Sequence, residues 1–531
     1  MKFLRILIIK IFAISFIGFA NNLVLTPVTL VDQDAINNFT HVQFDISWDN
    51  SWRDTTNYDA VWIFVKYKLQ GTGTLWQHAT LSTSGHSVTN APVQFNSATD
   101  GRGIFMQRQD NGSGPINWDV VKLRWDYGAN GLNDLANVTF KVFAIEMVYI
   151  PQGEFNVGDG TTTIELAGQL HKAEDVTAPF LITSEDEITL GGTVAGNLGN
   201  NNGTGQWGTN FDDFNSTITQ TLPAAYPKGY NAFYIMKYQI TQNQYVDFLN
   251  CLTRIQQNYR VPANILLSTV TNRYVMANDP APVRRNGVSC STFVGNTTEP
   301  IYFFNDLNDN EVPNESDDGQ HIACNYINWI DGAAYADWAG LRPITELEFE
   351  KAARGPLSPT VGEYVWGTPS YIRAVTITSA STTSEEVSVP TDANCNILVG
   401  GGSNFFGPLR AGIFAKLSTN RISSGASYYG VMQMSDNLFE VLVPIGTPEG
   451  RAFQGSNGCG ELSGFGYAHN SDWPGFSGSD VNGVAGTGFR GSGFDWPIKY
   501  MRISDRTWVG VGINNPSRSA YDTMRLGRTA N

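Results

Sequence analysis

The sequence predicts an all-β sandwich over residues 21–145, followed by a longer part, residues 146–531, in which helices join the strands. Three observations predict it. A period-2 alternation of apolar and polar residues runs through the first part, and the 3.6-residue repeat of helices begins only after residue 240. The chain has 531 residues, more than one ordinary domain, and its 41% hydrophobic residues are enough to build sizeable cores. No fixed-period repeat is present, which argues against a solenoid or propeller.

Taken in order, residues 1–20 read as a signal peptide. Lys2, Arg5 and Lys10 form a basic start, Ile11 to Phe19 is apolar, and Gly18-Phe19-Ala20 offers a cleavage site. The apolar run is too short for a membrane span once Lys10 interrupts it. No Cys follows it, which argues against a lipid anchor, so the mature chain is expected to be exported: periplasmic, cell-surface or extracellular. Val42, Phe44, Ile46 and Trp48 then alternate with polar neighbours. Val121, Leu123, Trp125 and Tyr127 do the same, as do Val138, Phe140, Val142 and Ala144. Ala60 to Val65 is apolar on both faces and reads as a central strand. His41, His78 and His86 lack any ligand spacing and read as structural.

Three helices follow. Thr241 and Gln244 form a capping box ahead of Tyr245, Phe248, Leu249 and Leu252. A second helix starts near Asn328, buries Ala334, Tyr335 and Trp338, and stops at Gly340. A third opens at Thr345 with Glu348 and ends at Arg354-Gly355. Loop insertions are expected near 160–228, 255–320 and 357–406, including the Gly-rich stretches Gly191 to Gly208 and Val399 to Phe406.

Composition narrows the functions. There are 34 basic and 49 acidic residues, a net charge of −15, and no basic run, so nucleic acid is excluded as a partner. Six His and five Cys are a poor stock for clustered metal sites, and Cys251, Cys290, Cys324, Cys395 and Cys459 form neither a CxxC pair nor a His-containing metal spacing. They allow at most two disulfides, and buried or singly paired thiols are expected. No G-x-S-x-G elbow or phosphate loop is present. Asp306 to Asp318 has oxygen ligands at alternate positions, but Glu311 replaces the glycine of an EF-hand loop, so a solvated acidic loop is expected.

Four motifs, in order, resemble the formylglycine-generating-enzyme, or sulfatase-modifying-factor, family. They are Met147 to Gly158 (MVYIPQGEFNVG), Phe233 to Thr241 (FYIMKYQIT), Ala336 to Gly355 (ADWAGLRPITELEFEKAARG) and Tyr429 to Glu440 (YGVMQMSDNLFE). The dialect of the insertions is similar to that of Bacteroidetes-like members. The resemblance implies a compact α+β fold related to C-type lectins for 146–531. It also implies a structural calcium ion held by Ser435, Asp436 and Leu438 through carbonyls and by Glu440 through its side chain, with Asp436 standing where the family has Gly. Active oxidases of the family carry a copper-binding cysteine pair after an R-G-G-S-W motif. The corresponding stretch here, Gly488 to Arg506, contains no Cys, so neither copper nor iron is expected.

Two function classes remain. The first is an exported, non-catalytic binding or structural protein whose partner is a protein, a glycan or further copies of itself. Its C-terminal surface would comprise Asp495, Trp496, Tyr500, Arg502, Asp505, Trp508, Asn514, Asn515, Arg518 and Tyr521, since aromatics and Arg give large contact area at modest entropic cost. Arg506 and Arg525 read as bracing residues instead. The alternative is an envelope protein-modifying oxidoreductase of the sulfatase-modifying-factor or non-haem iron type, with no catalytic residue identified.

Overall fold

The structure is a computed structural model. It describes residues 22–530 except 72–74, 90, 136, 162–168, 202–211, 379–382, 384, 398–405, 417–418 and 510–515. The signal segment therefore lies outside the described residues. Strands predominate and helices are few. Strands β1 (Val24–Asp34), β2 (Phe39–Arg53) and β7 (Gly112–Trp125) form a three-stranded antiparallel sheet, in the order β1-β2-β7. Between them in sequence lie β3 (Asp59–Leu69), β4 (Gln77–His78), β5 (Val93–Ser97) and β6 (Ile104–Arg108), which with β8 (Val138–Ile150) belong to a second sheet. The alternating residues expected to be buried fill the space between the two sheets: Val42, Phe44, Ile46 and Trp48 face Val61, Ile63 and Val65.

The second sheet does not stop at the expected boundary between residues 145 and 146, which falls inside β8. That strand pairs with β3 from Leu69↔Val138 to Asp59↔Val148. Its last residues, Met147 to Ile150, pair with β9 (Phe233–Met236). Beyond β9 lie β14 (Leu526–Thr529) and β10 (Arg342–Pro343), completing eight strands. One sheet thus runs from the N-terminal part to the C-terminal end of the chain. Both faces of β3 are covered: Ala60, Trp62 and Phe64 point into the helix-side core, and their neighbours point into the other. A strand apolar on both faces belongs in the middle of a sheet, and β3 lies there.

Four helices cover the sheet's other face or flank it: α1 (Gln242–Leu249), α2 (Arg254–Arg260), α3 (Trp329–Ala339) and α4 (Glu346–Arg354). Three match the expected starts, including the capping boxes of Thr241 and Thr345 and the left-handed Gly340 after α3. Helix α2 was not expected. Its Thr253–Gln256 capping box was legible, but seven residues are too few to display an apolar repeat. Trp62 ties the layers together, its Nε1 donating to the carbonyl of Ala339 at 2.9 Å. The expected insertions hold small sheets of their own. Residues 160–228 contain a four-stranded one, and Val288–Cys290 pairs with Phe303–Asn305.

Where the two parts meet, a buried ion cluster sits between strands. Lys237, just after β9, lies 3.3 Å from Asp59 of β3 and 3.0 Å from Glu146 of β8. Asp59 also accepts from Trp48 Nε1 and Ser51 Oγ on β2. Burial lifts the Glu146 carboxyl above its ordinary value, and the Lys237 ammonium only partly offsets this.

Candidate ligand-binding site

Strands β11 (Phe439–Leu442), β12 (Gly488–Arg490) and β13 (Asp522–Met524) form a small sheet in the order β12-β11-β13. Its pairing sets Phe439 opposite Asp522 and Val441 opposite Phe489. Of the chain between β12 and β13, the described residues include two held to the sheet by backbone bonds: Phe489 N donates to Trp508 O, and Phe439 N to Tyr521 O. The result is a cavity of about 160 Å³ lined by Phe439, Phe489, Trp496, Trp508, Ser519, Tyr521 and Asp522. Its rings meet edge to face, with Trp496 5.0 Å from Trp508, 5.5 Å from Phe439 and 5.9 Å from Tyr521. Gly493 permits this closeness, since a Cβ there would stand 2.9 Å from the Trp496 ring.

Asp522 is the one charged-type side chain of the cavity. It is buried, its carboxylate accepts no hydrogen bond from a described residue, and burial holds it well above the ordinary carboxylate range. Burial thus favours the protonated carboxyl, which both donates and accepts. A larger groove of about 570 Å³ lies between β8, α1 and α3, with Asp247 on its wall. Its polar lining is mostly carboxamide and hydroxyl, and it brings none of the expected surface residues together.

The expected surface divides. Trp496, Tyr500, Trp508 and Tyr521 converge, and Asp495 sits beside them, accepting from Tyr521 Oη at 3.4 Å. Three others turn inward. Arg518 grips Asp331 with two bonds of 2.6 and 2.8 Å. Asp505 is buried against Thr507, and Arg502 lies over Gly362 and Tyr364. These three correct the expectation of a free recognition surface, because each charge found a partner within the fold. Asn514 and Asn515 lie outside the described residues. Phe439, Phe489 and Asp522 were missed, since only strand pairing brings them to the cavity.

Within the Ala336 to Gly355 motif, helix α4 is scaffold. All nine residues of α4 are buried, including Glu346, Glu348, Glu350, Lys351 and Arg354. Arg490 bridges Glu346 and Glu350 at 3.0 and 2.8 Å, Arg506 joins Glu346 to Asp212, and Arg354 binds Glu350 and Glu363. Burial alone would lift Glu346, yet Arg506 and Arg490 hold it below its ordinary value. Arg506 and Arg525 brace the interior as expected.

The donor set implied for calcium does not fit that ion. Glu440 is fully buried, and Arg525 takes both its oxygens, through Nε at 2.9 and 3.0 Å and Nη2 at 2.7 Å. Gln239 Nε2 occupies the Leu438 carbonyl at 3.0 Å, and the Asp436 carbonyl accepts from Leu438 N at 2.9 Å. A guanidinium already supplies the positive charge that Glu440 faces. The acidic loop is solvated over residues 309–314, as expected, while Asp306 and Asp309 are also bound to Arg273 and Tyr274.

None of the five cysteines is in a disulfide, and all but Cys459 are buried. His41, His78 and His86 bond backbone carbonyls or lie beside Asp32, as structural residues do. His469 is different. It approaches Cys459 and Asp337, ten and 132 positions away, a grouping that no sequence spacing announced.

These observations define a loop-rich domain of many short strands and few helices, stiffened by buried ion pairs and carrying an aromatic cavity at its C-terminal sheet. A family model, the sulfatase-modifying factor enzyme 1-like domain, matches residues 137–445. The match covers more than half of the chain, which belongs to that family. It begins at the start of β8, so the strand shared with the N-terminal part is a family strand. Of the cavity, only Phe439 lies within the match. No curated protein matches the chain.

Proposed function

We propose that this chain is an exported, non-catalytic binding protein that recognises a glycan through the aromatic cavity at β11–β13. The observation carrying this reading is the pairing of edge-to-face rings with one buried carboxyl, Asp522. Aromatic walls suit the C–H face of a sugar ring, and a carboxyl that donates and accepts suits its hydroxyls. The absence of cysteine from Gly488 to Arg506 supports binding over oxidation, because copper(I) needs thiolate ligands. Export rests on the leading segment of the sequence.

Binding of the purified mature chain to a glycan panel tests the reading. Trp496→Ala and Trp508→Ala are each expected to weaken binding about thirtyfold, the ~2 kcal/mol of a hot-spot ring. Binding to peptides alone, or self-association abolished by the same variants, would keep the cavity and discard the glycan. Copper- or iron-dependent oxygen uptake on a Cys-containing peptide would overturn the non-catalytic reading.

A further inference from the structure

The second grouping of chemically active side chains lies apart from the aromatic cavity, none of whose lining residues it shares. Asp337 sits in the last turn of α3 with its side chain fully buried. Its carboxylate organises the loop that follows Leu341 in space. Oδ1 accepts from the backbone N–H of Cys459 at 2.7 Å, and Oδ2 accepts from that of His469 at 3.2 Å. The loop is docked at further points. Gly458 N donates to Leu341 O, Gly460 N to Asp337 O, and Lys66 Nζ to Gly460 O at 2.6 Å. Only glycine fits at 460, where φ is +87° and a Cβ would stand 2.2 Å from the His78 ring.

This docking brings three different donors together. Cys459 Sγ lies 3.4 Å from His469 Nε2, and His469 Nδ1 lies 3.3 Å from Asp337 Oδ2. One donor atom from each residue lies within 4.8 Å of the other two. Zinc bonds of about 2.0–2.3 Å give tetrahedral donor–donor edges of about 3.3–3.8 Å. The two contacts use opposite ring nitrogens, so a turn of the imidazole is what would bring one nitrogen to a cation shared with Cys459 and Asp337. The His469 side chain is 42% exposed, which leaves the fourth position open to water.

We propose that Cys459, His469 and Asp337 form a three-ligand site for a borderline divalent cation, zinc, with solvent as the fourth ligand. A nucleophilic thiol is the competing use of such a grouping, and the surroundings oppose it. The thiol lies beside the Asp337 carboxylate as well as the imidazole, so a bare thiolate would face a like charge. A divalent cation is matched by one thiolate and one carboxylate and releases the thiol proton on binding. The mixed sulfur, nitrogen and oxygen set suits zinc better than calcium or magnesium.

The test uses the full mature chain, stripped of metal and titrated with zinc or with cobalt as a spectroscopic probe. One equivalent is expected to bind, cobalt giving a thiolate charge-transfer band that Cys459→Ser abolishes. His469→Ala, at a half-exposed position that spares the fold, is expected to weaken zinc binding at least about tenfold. Zinc is expected to protect Cys459 from iodoacetamide in the parent chain and not in His469→Ala. Absence of binding at micromolar metal overturns the site, as do zinc affinity unchanged in both variants and alkylation that ignores zinc.

Discussion

Asp436 is the residue whose environment predicts the clearest pH response. Oδ2 accepts from Asn396 N at 2.6 Å, while Oδ1 is buried with no partner among the described residues, and burial pushes the carboxyl up to about 7. The unfolded carboxyl titrates near 3.8. A raised folded value means that the group favours the fold below the unfolded value and loses that contribution as pH rises through about 7. Asp436→Asn cannot ionise, so thermal unfolding should place it a few degrees above the parent chain at pH 8, with the gap closing towards pH 4. An unchanged gap across that range would refute the assignment. Glu346 has the opposite character, since Arg490 and Arg506 both depend on it. Glu346→Gln leaves those guanidiniums partly uncompensated and should destabilise the chain by about 3–5 kcal/mol in denaturant unfolding.

Among the elements, α4 shows how far a sequence signal reaches. Its capping box and its end at Gly355 were legible because local chemistry sets helix termini. Its burial was not, since nothing local to five charged residues in nine signals an interior position. Their partners Arg490 on β12 and Arg506 and Glu363 in loops are distant in sequence, and pairing is what permits their burial. At β11, Arg525 and Gln239 already satisfy Glu440 and the Leu438 carbonyl. Millimolar calcium should therefore leave the unfolding temperature unchanged, whereas a rise of several degrees would reinstate a bound ion.

Over the whole molecule, β8 decides whether the chain is one unit or two. It belongs to the same sheet as β3 on one side and β9 on the other, and Lys237, Asp59 and Glu146 are buried across that junction. Lys237→Met strands two carboxylates in the interior. It should destabilise the chain by about 3–5 kcal/mol. Calorimetry should find the N-terminal strands and the family domain unfolding in one transition, and two separate transitions would show that the junction is loose.

The sequence by itself determined the strand alternation, the helix caps, the family motifs and the lack of a cysteine pair near the C-terminus. Each is carried by residues close together in the chain, or by composition. The tertiary structure decided what depends on partners far apart in sequence. It joined the two parts through one sheet, turned the charges of α4 into internal braces, and gave Glu440 to Arg525. It also gathered Phe439, Trp496, Trp508 and Asp522 around one cavity and set Cys459 and His469 against Asp337. Which charge is neutralised, and which ring meets which, follows from strand pairing and loop docking, and periodicity along the chain carries no record of either.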